Sequence, residues 1–307
     1  MTGQNRPNIL LIFADQWRFD YLGFLDNGKC RTPNLDRLAE SSCVFTRAVT
    51  VNPVCQPARA ALLTGRYPHQ VNLTCQNGDL RTDVRTMLQA LQEAGYYTAS
   101  SGKLHYCGST QPPRDELAEY LEAQKQYGLD AISYYTGRGF KSSSWCHTRE
   151  AVYQAGLFEQ AADHAARMRA KGYDRTAPLV TRWPVEPWPL PEKYFSANLV
   201  GSRAVEYLQE LGTEQPFYLQ ATFCSPHPPY DAPASYLEAT PYEEVDDFVT
   251  PADQPLTEEE KKALWHNRHH YRAMIACVDD WIGRMMDVLE QRNLLDDTLI
   301  IFTSDHG

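Results

Sequence analysis

The sequence predicts an α/β fold in which a mixed, mostly parallel sheet lies between two layers of helices. Three observations carry that expectation. Continuous apolar runs rich in branched residues, at positions 8–14, 216–224 and 297–304, have the character of strands covered on both faces. They alternate with segments whose apolar residues recur at helical spacing, the order that generates parallel sheets. Residues able to bind anions, metals or protons stand directly after the strands, at the carboxyl ends where open α/β sheets collect ligands.

Taken in order, the run 8–14 reads as a central strand that delivers Asp15 and Gln16. Alone, Asp15 fits a site acid and a helix cap or turn equally well. Thr32 and Pro33 open a short helix to residue 40, and 44–49 reads as a strand that carries the chain to Cys55. Pro57 suits a first helical turn, so Cys55 is expected just before a helix running through Leu62 and Leu63. A helix start attracts anions, and Arg59, one turn inside, adds a planar fork of donors expected to face the same anion.

Thr82 is read as the cap of a helix through Met87 and Leu91 that stops at Gly95, followed by a strand over 96–100. Lys103 and His105 lie beyond it, two apart, on one face if the backbone stays extended. Such a pair can meet one anion, or simply be solvated surface. From 107 to about 195 the pattern loosens into an irregular, substrate-facing excursion with helices near 115–126 and 151–171. Trp183 and Trp188, among prolines, are read as ordinary loop packing in preference to a pocket wall.

A helix over 196–211 and the strand 216–224 lead to His227, held between prolines, either an acid or anion contact or a hydrogen-bonded loop residue. A long helix spans 257–291; its Asp279 and Asp280 are read as packing or cap partners, and His269 and His270 as part of a charged face without ligand spacing. The last strand, 297–304, delivers Asp305 and His306. Five strand ends thus supply Asp15 with Gln16, Cys55 with Arg59, Lys103 with His105, His227, and Asp305 with His306.

Composition narrows the function classes. A net charge of −10 and a pI near 5.4 argue against nucleic acid or an anionic membrane as the main partner. The eight cysteines are scattered, which fits reduced thiols better than a disulfide framework. The polar N-terminus and the short apolar run after it lead to the expectation of a soluble, cytoplasmic protein of unassigned oligomeric state.

The Cys-x-Pro-x-Arg stretch at 55–59 carries the signature of the formylglycine-dependent sulfatases of the alkaline phosphatase superfamily. The phrases Thr32-Pro-Asn-Leu-Asp-Arg-Leu, Leu62-Leu-Thr-Gly-Arg-Tyr-Pro, Gly102-Lys-x-His, Pro226-His-x-Pro-Tyr and Ser304-Asp-His-Gly extend the resemblance over essentially the whole chain. It implies an alkaline-phosphatase-like α/β/α sandwich, a single catalytic domain over 1–307, and the expectation that a smaller C-terminal subdomain is missing. It also implies oxidation of Cys55 to formylglycine by a separate maturation enzyme. Asp15, Gln16, Asp305 and His306, together with position 55, would hold one divalent cation, calcium in first place with magnesium or manganese as alternatives.

In the implied reaction a hydroxyl of the hydrated aldehyde attacks the sulfur of a small sulfate ester. Arg59 and Lys103 offset charge on the sulfate oxygens, His227 serves the leaving alcohol, and His105 helps a second hydroxyl release sulfate. Many sulfatases carry two aspartates where this chain has Asp15-Gln16; the Asp-Gln pair also occurs in choline sulfatases and in phosphonate monoester and phosphodiester hydrolases. The latter usually have Tyr and Thr at Lys103 and His105, so sulfate esters are preferred and phosphorus esters come second. A non-catalytic anion-binding protein with unmodified Cys55 is the alternative from another class.

Overall fold

The computed structural model describes residues 6–25, 28–76, 78–106, 112–135, 145–172, 185–245 and 255–307. Its elements are β1 (Asn8–Asp15), α1 (Pro33–Glu40), α2 (Cys55–Thr64), α3 (Met87–Glu93), β2 (Tyr97–Gly102), α4 (Leu117–Gln124) and β3 (Ala131–Ser133). These are followed by α5 (His147–Gln154), α6 (Phe158–Gly172), α7 (Ser196–Glu210), β4 (Phe217–Pro226), α8 (Ala234–Ala239), α9 (Glu258–Gln291) and β5 (Thr298–Ser304). The strands form one sheet in the order β3-β2-β4-β1-β5, and every pairing is parallel, so the mixed sheet expected from sequence is wholly parallel among the described residues.

Alternation along β1 separates the two layers. Leu10, Ile12 and Ala14 face a core shared with α1, α7 and α9, whereas Leu11 and Phe13 face a second core with residues of α2 and α3. The strand is apolar throughout because both faces are covered. The long α9 starts in a capping box, with the Thr257 hydroxyl accepting from the Glu260 N–H and the Glu260 carboxylate accepting from the Thr257 N–H. Its Asp279 accepts the Asn34 and Leu35 N–H groups at 3.0 and 2.8 Å, capping the start of α1 from a distance. That is the packing-and-cap role read from sequence.

Three expectations need correction. Residues 44–49 form no strand: a strand needs a ladder partner, the sheet is bounded by β3 and β5, and Phe45 and Val49 are exposed. The cap of α3 is Thr86, not Thr82, because Gln89, three residues on, completes a capping box with Thr86. The single helix expected over 151–171 is two, α5 and α6, divided at Gly156, whose φ of +72° is the left-handed conformation that stops a helix. Trp183 and Cys107 lie outside the described residues. No helix among the described residues is long and apolar enough to cross a membrane.

Two outcomes are expected from this packing. A Cβ added at Gly201 on α7 would lie 2.1 Å from the Trp281 ring of α9, so Gly201→Ala should destabilise by about 1–3 kcal/mol in urea unfolding, although alanine is the better helix former. Burial, reinforced by His269 and His266, pushes the pKa of His270 down to about 4. The unfolded chain therefore takes up that proton first as pH falls below 6.5, and stability should drop by about 2 kcal/mol between pH 7 and pH 5. In His270→Gln the drop in the unfolding midpoint should shrink.

Candidate active site

The site is assembled where β1 and β5 end side by side. Ala14 pairs with Ser304, and the Asp305 N–H donates to the Ala14 carbonyl at 3.1 Å, which sets Asp15 and Asp305 against each other beyond the last rung. Gln16 then turns with a φ of +64°, and its N–H donates to Asp305 Oδ1 at 3.0 Å. The His306 N–H donates to the same oxygen at 2.9 Å. Tyr271, from the middle of α9, fixes this turn by donating its hydroxyl to the Gln16 carbonyl at 2.7 Å and accepting the Arg18 N–H at 2.8 Å. Gln16 acts here through its backbone.

Both carboxylates are buried and each meets a buried cation from another element. Arg59 Nε donates to Asp305 Oδ2 at 2.9 Å, while its Nη1 donates to the Lys103 carbonyl at 3.2 Å and its guanidinium lies over the Phe13 ring. Lys103 Nζ donates to Asp15 Oδ2. Burial on its own would raise the Asp15 pKa, but Lys103, His227 and Arg59 outweigh it and hold the carboxyl well below the usual range. Burial works against an unpaired charge; two opposite charges in contact reverse the sign.

Cys55 is the first residue of α2 and is buried. Its Sγ lies 3.1 Å from His306 Nε2, which in turn is 3.7 Å from Asp15 Oδ1 and 3.6 Å from Asp305 Oδ1. Burial pushes the thiol up to about 11 in spite of Lys103 and Arg59, so at neutral pH the unmodified side chain is a thiol and a poor nucleophile. Ligand atoms of Asp15, Cys55, Asp305 and His306 all lie within 4.8 Å of one another. Asp15 Oδ1 is buried and takes no hydrogen bond among the described residues, the orphaned acceptor that a cation would satisfy. Two carboxylates beside one imidazole fit a hard divalent cation.

A cavity opens over Asp15 and Lys103, and His227, Arg149, Trp188 and Asp231 also line it. His227, on the loop after β4, has its Nδ1 2.6 Å from the Pro228 carbonyl. Two sequence expectations change here. Arg59 does not line this cavity: its Nε and Nη1 donate to Asp305 and to the Lys103 carbonyl, so it holds the carboxylate in place. Trp188, expected as loop packing, does line it.

His105 does not continue the extended backbone that ends before Lys103. The strand ends at Gly102, where a Cβ would sit 2.0 Å from the Thr222 carbonyl oxygen, and His105 has a φ of +57°, so the two side chains share no extended face. Thr148 and Arg149, at the start of α5, join the cavity wall without any sequence signal, since the stretch before them has no readable pattern.

A profile of the sulfatase family matches residues 7–307. The chain belongs to the sulfatase family. An arylsulfatase of Clostridium perfringens is 27% identical over 98% of this chain and 63% of its own length. A choline-sulfatase of Rhizobium meliloti is 28% identical over 98% of this chain and 57% of its own length. Among solved structures, the phosphonate monoester hydrolase of Agrobacterium radiobacter superposes with a TM-score of 0.71 at 24% identity, covering 98% of this chain and 63% of that one, a likeness of fold. This sulfatase sequence spans about three-fifths of the length of such relatives.

The buried ion pairs set an expectation for this chain. Lys103→Ala leaves Asp15 buried without its partner and should cost about 3–5 kcal/mol of stability. The double substitution Asp15→Asn with Lys103→Met, which removes both charges, should cost less in the same urea titration.

Proposed function

We propose that the chain hydrolyses sulfate monoesters, with Cys55, oxidised to formylglycine, at the centre of the reaction. The observation that carries this reading is the meeting of the Cys55 sulfur with His306 and two buried carboxylates at one strand edge, in a chain of the sulfatase family. A maturation enzyme acting on Cys55 is the partner this requires.

Asp15, Asp305, His306 and position 55, with Gln16 beside them, would hold a divalent cation, calcium before magnesium or manganese. When bound, it supplies a Lewis acid that favours ionisation of the hydrated aldehyde and neutralises sulfate charge. The hydrate supplies one hydroxyl to attack sulfur, with the ester's alcohol leaving, and a second that gives up its proton and becomes the aldehyde oxygen as the carbon–oxygen bond to sulfate breaks, which a lone thiol cannot do.

The chain's own residues do the rest. Lys103, buried against Asp15 and open to the cavity, sets a fixed positive charge beside the sulfate oxygens. His227, in the same wall, carries the proton for the departing alcohol. Arg59 holds Asp305 in the orientation its ligand role needs. His105 is assigned the proton of the second hydroxyl.

Matured protein should release sulfate from 4-nitrophenyl sulfate, choline sulfate or a hexose sulfate, and Cys55→Ala should lower kcat/KM by a factor of about 1,000 or more. Chelation should remove activity, and divalent cation should restore it. Faster hydrolysis of a phenyl phosphonate monoester than of every sulfate ester, or an intact thiol at position 55 in active protein, would count against the proposal.

A further inference from the structure

A tyrosine from the middle of α9 holds the turn between the two site carboxylates, and the proposed hydrolysis gives it no part. Gln16 stands in the left-handed backbone region, at a φ of +64°. For a residue with a Cβ that conformation is unfavourable, and it persists where the surroundings dictate it. The bonds that dictate it come from two sides. The N–H groups of Gln16 and Trp17 donate to Asp305 Oδ1 at 3.0 Å and to Ser304 Oγ at 2.9 Å, which ties the turn to the end of β5. On the other side a single atom serves twice: the Tyr271 hydroxyl donates to the Gln16 carbonyl at 2.7 Å and accepts the Arg18 N–H at 2.8 Å. Tyr271 is buried, and its ring packs edge-on against Tyr21 and Tyr230, with centroids 5.0 and 6.2 Å away. Its neighbour His270 bonds to the Tyr230 backbone, on the loop of His227. Consecutive residues of one buried helix thus hold both the Gln16 turn and the His227 loop.

What the turn controls is the orientation of Asp305. Oδ2 of that carboxylate accepts from Arg59, and Oδ1 accepts from the N–H groups of Gln16 and His306. Phenylalanine at position 271 would keep the ring and remove the hydroxyl. The Gln16 carbonyl and the Arg18 N–H would then lose their common partner, and the left-handed residue part of what holds it. A relaxed turn draws the Gln16 N–H away from Oδ1, and the carboxylate is free to rotate. Ligands that must converge on one ion depend on such outer contacts, whose loss costs roughly 10- to 100-fold in metal affinity.

We infer that Tyr271 is a positioning residue for the cation site: acting through Gln16 it fixes Asp305, and so sets the affinity for the divalent ion. This rests on the reading of Asp15, Cys55, Asp305 and His306 as that site. Tyr271 on this account takes no part in the bond changes at sulfur.

The test is a calcium titration by calorimetry on the full chain, with Tyr96→Phe as the matched control. Tyr96 is also buried and also donates its hydroxyl to a backbone carbonyl, that of Pro7 at 2.9 Å, but at the opposite, amino ends of β1 and β2. Tyr271→Phe should weaken calcium binding by a factor of about ten or more, and Tyr96→Phe should leave it within about twofold. Thermal unfolding without calcium should show both variants folded, and calcium should raise the midpoint less in Tyr271→Phe than in the parent. In matured protein, sulfate release by Tyr271→Phe should fall at limiting calcium and recover at saturating calcium, because mass action fills a weakened site. Unchanged calcium affinity in Tyr271→Phe, an equal loss in Tyr96→Phe, or a rate that saturating calcium does not restore would each overturn the assignment. A parent that takes up no calcium would remove this inference together with the cation site it rests on. Weakened binding in Tyr271→Phe beside a parent that releases no sulfate would remove the hydrolysis proposal and leave this one standing.

Discussion

Two carboxylates forced together at the ends of neighbouring parallel strands are the constraint around which this molecule is arranged. Because Ala14 pairs with Ser304, Asp15 and Asp305 emerge side by side, in a layer that water does not reach. Two like charges so placed would repel each other and push for protonation. The fold answers with one buried cation for each, Arg59 reaching up from α2 and Lys103 across from the end of β2. Each cation is itself fixed by backbone: Gly102 approaches Thr222 too closely for any side chain, and Arg59 is stacked on Phe13 and tied to the Lys103 carbonyl. Position, charge balance and chemistry are therefore one problem, solved by four segments far apart in sequence.

Much of this was legible in the amino-acid order. Strands buried on both faces leave unbroken apolar runs, so β1 and β4 are visible, and the helical period of α9 survives over its whole length. The site residues were legible because short phrases follow each strand. Direction was not. Whether Arg59 points at a substrate or at Asp305 depends on which way a turn of helix faces, and nothing local fixes that. The stretch 44–49 has strand-forming residues but no partner, and pairing is a property of the sheet and not of the segment. Trp188, Thr148 and Arg149 join the cavity through irregular chain whose path no period encodes. Tyr271 lay hidden for a different reason: it reads as one more core residue of a long helix, and its hydroxyl meets Gln16 across more than two hundred positions.

The cavity is built with unlike ends. At one, Lys103 and His227 stand near Asp15, and the charge field suits a tetrahedral anion. At the other, Asp231 is backed by an imidazole with a second carboxylate behind it, and an aromatic strap closes the side. The residues that end or follow β1, β2 and β4 supply the first end, and Asp231 with the 185–190 strap, backed by α6, the second. Sequence drift in the strap and in α6 can therefore reshape that end of the cavity without disturbing the charge pairs that organise the sheet edge.

The burial of Cys55 carries a consequence for the life history of the protein. A sulfur at the first position of a packed helix, in contact with the last strand's histidine, cannot enter another protein's catalytic cleft while both elements are docked. Any macromolecule that edits this side chain must meet it on a nascent or opened chain, before residue 306 arrives some two hundred and fifty positions later to shut the door.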